Sequence, residues 1–359
     1  MSNFLTPRKR NSRHIVPGDL MPYILAGAVL ILLAVAGLRF YLMTTCEMVD
    51  LHGKDHCYLY IHTGSKFPAV RDSLVMHGYL DSPRKFEWLA KRKNYVHRIK
   101  PGRYLLKNGM RNNELINMLR SGRQEPVHIT FQNIRTREEL AGFLGKRLET
   151  DSMQLIRLFN DPLHLARYGT STSTLFILFI PNTYELFWNT SGDQLFKRMK
   201  SEYRRFWTPG RCHQADSLRM TIPEIVTLAS IVEKESNKND EKPVIAGVYI
   251  NRLKRGIPLQ ADPTVIYAWN DYSIRRVLKI HTQLQSPYNT YIHTGLPPGP
   301  ICLPSIASVD AVLHSINHPY LYFCAKEDFS GYHNFAVTLA EHNGNARRYQ
   351  QALDAMKIK

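Results

Sequence analysis

The stretch TIPEIVTLASIVEKES, Thr221–Ser236, decides how the rest of the chain is read. Thr221 followed three residues later by Glu224 forms a capping box, so a helix starts there, and Pro223 is tolerated in its first turn. At about 100° per residue, Ile225, Ala229 and Val232 mark the centre of the buried face, while Thr227, Ser230 and Lys234 fall on an opposite, polar side. Glu233 lies about 80° from Ile225, between Ile222 and Val226, on the flank of the apolar stripe. Glu235 lies about 200° from Glu233, near Leu228 and Ile231, so the two carboxylates do not share a site through adjacency. A carboxyl pressed against apolar surface has its charged form disfavoured and its pKa raised, as a general acid working near neutral pH requires. On the wheel Glu233 is the better candidate. The plain alternative is that both glutamates are helix-end charges reaching solvent or pairing with Lys234 and Lys238.

Outward from this helix, DEKPVIAGVYINRLKRG (Asp240–Gly256) predicts a second helix burying Ile245, Val248, Tyr249 and Leu253, with Gly256 as its stop. In IPLQADPTVIYAW (Ile257–Trp269), Gln260, Asp262 and Thr264 alternate and share one face if the chain is extended, which suits the lining of a site. SPYNTYIHTGLPPGPI (Ser286–Ile301) gathers Tyr288, Asn289, Thr290 and Tyr291 before a rigid Gly/Pro loop. Rings with amides suit sugar stacking and hydrogen bonding; a packed turn with aromatic filler is the alternative.

Toward the N-terminus, nothing from Met21 to Leu38 is charged, and apolar character resumes after Arg39 to Met43. Roughly 20 such residues span a bilayer core, and the run is too long for the apolar core of a cleaved signal peptide. LMTTC, ending at Cys46, only faintly resembles a lipoprotein box. Arg8, Lys9, Arg10 and Arg13 precede the run, so the positive-inside tendency leaves residues 1–20 as a cytoplasmic tail, 21–43 as a transmembrane helix and the rest outside. The formal net charge is +17, most of it beyond Met43. That points to an anionic neighbour, and an external location favours wall polymers and anionic lipid over nucleic acid. Five scattered cysteines make no disulfide framework and no zinc or redox motif; a single Cys46–Cys57 bridge is left open.

YLYIHTGSKF reads as a strand and turn, FPAVRDSLVMHGYL and SPRKFEWLAKRKN as helices, and IKPGRYLLKNGMRNNELINMLRSG as a strand at Tyr104–Leu106, a turn at Asn108–Gly109 and a helix ending at Gly122. Together they make a small α+β module over residues 55–125. A second strand and helix begin at Pro126, with Thr136 and Glu139 as a capping box, and open a larger domain over 126–359. FIPNTYELFWNT (Phe179–Thr190) reads as a loop, and SGDQLFKRMKSEYRRFW as an amphipathic helix. There is no G-x-S-x-G, P-loop, G-x-G-x-x-G or H-E-x-x-H. His314 and His318 lack an acidic partner between them, and Pro319 ends their helix, so no metal site is assigned.

LASIVEKES, VYINRLKRGIPLQADPTVIYA, SPYNTYIHTGLPPGPI and HPYLYFCAKEDFSGYHNFAVTLAEHN, in that order, resemble the YceG-like (MltG) endolytic murein transglycosylases. IKPGRYLLKNGMRNNELINMLRSG and FIPNTYELFW extend the resemblance over roughly residues 60–355. It implies an α+β protein with an N-terminal transmembrane helix, a LysM-like module and a mixed α+β catalytic domain. It further implies an enzyme that cuts peptidoglycan internally between N-acetylmuramic acid and N-acetylglucosamine, leaving a 1,6-anhydro end, without metal or organic cofactor. The first glutamate of the family's block falls on Glu233, which would serve as acid and then base. Gln260, Asp262, Thr264, Tyr288, Asn289, Thr290 and Tyr291 would bind the glycan. The implied partners are peptidoglycan strands and cell-wall synthases of the cytoplasmic membrane. STSTLFIL, before FIPNTYE, lacks the acidic Glu-Gly of many relatives, so no role is carried into residues 171–180. A non-catalytic wall-binding scaffold, and a hydrolase using Asp262 with water, are the competing readings.

Overall fold

A computed structural model describes residues 17–356, so most of the expected cytoplasmic tail lies outside the described residues. The chain divides between Glu125 and Pro126 into two compact units.

The first unit opens with α1 (Pro17–Thr45), within which Met21–Thr45 is long and apolar enough to cross a membrane. Strands β1 (His56–Ile61) and β2 (Gly102–Lys107) pair antiparallel, from His56 opposite Lys107 to Ile61 opposite Gly102. Between them lie α2 (Phe67–Met76) and α3 (Pro83–Arg92), and α4 (Asn112–Ser121) follows. Period-2 alternation turns Leu59, Ile61, Tyr104 and Leu106 into a core with Leu74, Phe86, Leu89 and Leu115, while Tyr58 and Tyr60 stay exposed. Gly122 ends α4 at φ +73°, the left-handed cap that glycine adopts without cost. Cys46 and Cys57 are free thiols.

The second unit starts with β3 (Val127–Thr130), α5 (Arg137–Gly145), α6 (Ser152–Asn160) and α7 (Pro162–Ala166). FIPNTYELFWNT is not wholly a loop: β4 (Thr183–Leu186) pairs with β3 and buries Tyr184 and Leu186 while Thr183 and Glu185 face out. Four residues behind Pro181 are too few to reveal that alternation in the sequence. Then come α8 (Gly192–Phe206), α9 (Pro209–Ser217), α10 (Ile222–Glu235), α11 (Lys242–Lys254), α12 (Asp262–Trp269) and α13 (Ile306–Leu313). The hairpin β5 (Tyr322–Ala325) and β6 (His333–Ala336) and the helix α14 (Leu339–Ala355) close the unit. Asp262 begins a helix and Gln260 sits at φ +52°, so the extended lining expected over 260–264 does not form.

Helix α10 is the centre of this unit. Ile225, Leu228, Ala229, Ile231 and Val232 are fully buried against α11 and α13 through Ile245, Tyr249 and Val312. Its predicted polar side is buried as well: Thr227 and Ser230 lie inside, where the Ser230 hydroxyl donates to the Thr227 carbonyl and accepts from the Ile301 amide. Short hydroxyls satisfied this way cost little to bury. A second cluster, Phe131, Phe159, Phe179 and Phe196, packs beneath β3 and β4.

The Thr221–Glu224 capping box forms, with Thr221 Oγ1 accepting from the Glu224 amide and the Glu224 carboxylate accepting from the Thr221 amide. Thr221→Ala is therefore expected to cost about 1 kcal/mol and Thr221→Ser almost nothing, read from denaturant midpoints at constant slope.

Candidate active site

The C-terminal turn of α10 sends its two glutamates to opposite sides. Glu233 borders a hollow of about 420 Å³ with Gln132, Asn133, Asn182 and Ser305. Glu235 borders a cleft of about 390 Å³ with Tyr249, Arg252, Gln260, Asp262, Tyr291 and His342. The separation that the wheel predicts is realised, but the raised pKa expected of Glu233 is found at Glu235.

Glu233 Oε2 accepts from Lys242 Nζ at 3.1 Å, from Ser305 Oγ at 2.6 Å and from Ser308 Oγ. Burial alone would raise its pKa; the two serine hydroxyls and the buried Lys242 ammonium outweigh that and hold it below its ordinary value. Ser305 caps α13 and Lys242 opens α11, so this carboxylate ties three helices together. The raised pKa expected of Glu233 is not found: an apolar flank does not reveal the donors that neighbouring helices bring to it.

Glu235 has one protein donor, the Tyr249 hydroxyl at 2.6 Å. Burial pushes its carboxyl up to about 7, the Tyr249 hydrogen bond opposing and the nearby Asp262 carboxylate adding to the rise. Burial also raises Asp262, against a 2.5 Å hydrogen bond from the Tyr291 hydroxyl. Two carboxyls whose pKa values burial raises in one cleft have the property that acid–base chemistry near neutral pH requires.

Arg252 builds the floor of the cleft. It is buried, donates to the carbonyls of Pro258 and Leu321 at 2.9 Å each, and holds Gln260 Oε1 at 2.5 Å. That fork fixes the left-handed backbone of Gln260 and aims its amide at the cleft.

Of the seven residues expected to bind substrate, Gln260, Asp262 and Tyr291 border the cleft. Thr264 and Thr290 are buried and hydrogen bonded to each other at 2.8 Å, with Thr290 Oγ1 also accepting from the Ala261 amide. Asn289 is buried too, donating to the carbonyls of Thr282 and Leu284 and accepting from the Tyr291 amide. These three shape the loop that carries Tyr291 and do not reach the cleft. Tyr288 packs on Tyr267, ring centroids 4.8 Å apart, away from it. Tyr249, Arg252 and His342 went unnoticed in the sequence; the available signal was Glu235 lying beside Leu228 and Ile231 on the wheel.

The sequence pattern of the YceG-like family matches residues 59–348. This chain belongs to the YceG-like family. It is similar to the endolytic murein transglycosylase of Bacillus subtilis, 28% identical over 333 residues that take in 88% of this chain and 91% of that protein. It is also 28% identical to the endolytic murein transglycosylase of Streptococcus pneumoniae D39, over 79% of this chain and 57% of the relative. In three dimensions this YceG-like chain resembles a crystal structure of a YceG-like protein from Listeria monocytogenes, with a TM-score of 0.54 and 25% identity over 81% of this chain and 99% of that one.

The two glutamates must affect stability with opposite signs. Glu233, its pKa lowered on folding, contributes stability above its unfolded pKa that is lost as pH falls through the folded one. Glu235, raised from 4.5 to about 7, costs stability progressively as pH rises through that window. Glu233→Gln, which leaves the buried Lys242 uncompensated, is expected to lose about 3 kcal/mol at pH 8, and Glu235→Gln to lose nothing or gain. Thermal melts of both variants at pH 5 and pH 8 check the contrast.

Proposed function

We propose that this chain is a membrane-anchored lyase that cuts peptidoglycan strands internally, with Glu235 as the acid and then the base. The observation that carries this reading is the placing of the Glu235 carboxyl, which burial pushes up to about 7, in one cleft with Asp262, Gln260 and Tyr291. The curated relatives, named as endolytic murein transglycosylases, supply the reaction class.

Glu235 is substantially protonated at neutral pH and donates its proton to the glycosidic oxygen between N-acetylmuramic acid and N-acetylglucosamine, breaking the C1–O bond and freeing a hydroxyl on the leaving sugar. Positive charge grows at the anomeric carbon, where the Asp262 carboxylate stabilises it. The C6 hydroxyl of the same muramic acid attacks that carbon, and the Glu235 carboxylate takes its proton, closing a 1,6-anhydro ring and restoring the acid. The nucleophile is intramolecular, so no water has to be bound and activated, and effective molarity favours the ring closure. Tyr249 orients the Glu235 carboxyl, and Gln260 and Tyr291 offer hydrogen bonds to the glycan.

This assignment moves the catalytic role from Glu233 to Glu235, because Glu233 is held ionised by three donors and has no proton to give near neutral pH. The basic residues before α1 favour an N-terminus in the cytoplasm, and residues 126–359 then act on the outer side of the cytoplasmic membrane as the catalytic domain. The module over 55–125 serves as a LysM-like glycan holder or spacer, and wall synthases of the same membrane supply the strands.

Hydrolysis is the second reading, favoured by the raised Asp262, which would activate a water beside the protonated Glu235. Mass spectrometry separates the two, since the anhydro end lacks one water relative to a reducing end. Glu235→Gln is expected to lower cleavage of purified peptidoglycan at least about 10³-fold while Glu233→Gln, where it folds, retains it. Wild-type kcat/KM is expected to fall above pH about 7 as Glu235 loses its proton. Full activity in Glu235→Gln would overturn the proposal.

A further inference from the structure

Three consecutive residues at the end of α10 border three hollows. Between those of Glu233 and Glu235, Lys234 borders a third, of about 210 Å³, with Arg135, Tyr267, Tyr272, Ile274 and Ile301. Its lining lies next in the chain to that of both neighbours: Pro263 follows Asp262 of the Glu235 cleft, and Arg135 stands two residues from Asn133 of the Glu233 hollow.

Both cations of this hollow are half-buried, and neither makes an ion pair among the described residues. Carboxylates are close at hand but committed elsewhere: Glu233 to Lys242 and two serines, Glu235 to Tyr249, and Glu139, whose charge reaches Tyr272, to the Arg135 backbone amide. The Arg135 guanidinium lies 4.6 Å over the Tyr272 ring, which fixes its plane and leaves its N–H edge unspent. The Tyr272 hydroxyl itself is buried without a hydrogen-bond partner. Half-buried cations and a buried hydroxyl normally find acceptors. Their common lack of one, at a hollow otherwise walled by isoleucine and tyrosine, marks a site for an anion carried on an apolar stem.

We propose that this hollow binds the carboxylates of the short peptide borne by the muramic acid beside the scissile bond, so that the protein selects strands still carrying their peptides. The proposal rests on the reading of the chain as a glycan lyase. A muramyl lactate carboxylate, exposed when the peptide is removed, has the same charge; the apolar walls favour the peptide, whose alkyl side chains would cover them.

The full chain in detergent is given two substrates: peptide-bearing glycan strands and the same strands stripped by an amidase. Lys234→Gln and Arg135→Gln are each expected to lower kcat/KM on peptide-bearing strands about tenfold, the loss of one charge-assisted hydrogen bond, with stripped strands cut at the wild-type rate. Equal loss on both substrates, loss on stripped strands alone, or no loss overturns the proposal. A second measurement needs no catalysis: a free N-acetylated stem pentapeptide titrated into the full-length Glu235→Gln protein by calorimetry, with and without Lys234→Gln. Weaker binding with the added substitution supports the site, and equal or absent binding overturns it. Failure of the wild type to cut either strand defeats the lyase reading instead, and the titration still decides this one.

Discussion

Burying α10 on every side is the constraint on which the second unit depends. A helix whose middle is Leu228, Ala229, Ile231 and Val232, with even Thr227 and Ser230 enclosed, has no solvent face for charge. Apart from Glu224, which is spent on the N-terminal cap, its charges are confined to its last turn, at residues 233, 234 and 235. At about 100° per residue, three consecutive side chains point in three directions, and each meets a different wall of the unit. The layout of hollows around the site follows from helical geometry at the end of one buried rod.

What each charge becomes is then decided by what its wall offers. Glu233 meets the start of α13 and the buried Lys242 and is kept as an anion, since three donors on one oxygen outweigh the cost of removing it from water. Glu235 meets a tyrosine hydroxyl and a second carboxylate, a supply too small to offset desolvation, and keeps its proton to about pH 7. Two identical side chains on one turn thereby acquire opposite pKa shifts. Arg252 extends the same logic, its guanidinium anchored by two backbone carbonyls and Gln260 while its charge acts on Tyr249 and Tyr291 of the cleft.

The parts legible in the sequence are those set by local rules. The Thr136 N-cap and the Thr221 capping box place helix starts, Gly122 places an end, and the wheel separates the two glutamates onto different sides. The strands and helices of the 55–125 module follow from periodicity, and the apolar N-terminal helix from the length of an uncharged run. What escaped is set by partners remote in sequence. Ser305 and Ser308 stand more than seventy residues from the glutamate they ionise, so the acidity of Glu233 was inverted. The face shared by Gln260, Asp262 and Thr264 supposed an extended chain, but Pro263 in the first turn of α12 starts a helix there. Composition also could not distinguish an Asn289 that displays its amide from one that spends it on the Thr282 and Leu284 carbonyls.

Those spent amides matter to the chemistry. In the proposed reaction the cleft brings a neutral carboxylic acid to a glycosidic oxygen, and flexible donors there would lower the pKa that burial raises. Asn289, Thr290 and Thr264 are satisfied inside the loop scaffold, and the hydroxyls of Tyr249 and Tyr291 each meet a carboxylate. The groups that face the cleft are thus fixed in direction before any sugar arrives. Preorganisation of this kind suits the proposed use of a single glutamate in turn as acid and base, since the surroundings that favour its proton at rest do not have to rearrange when the proton is returned.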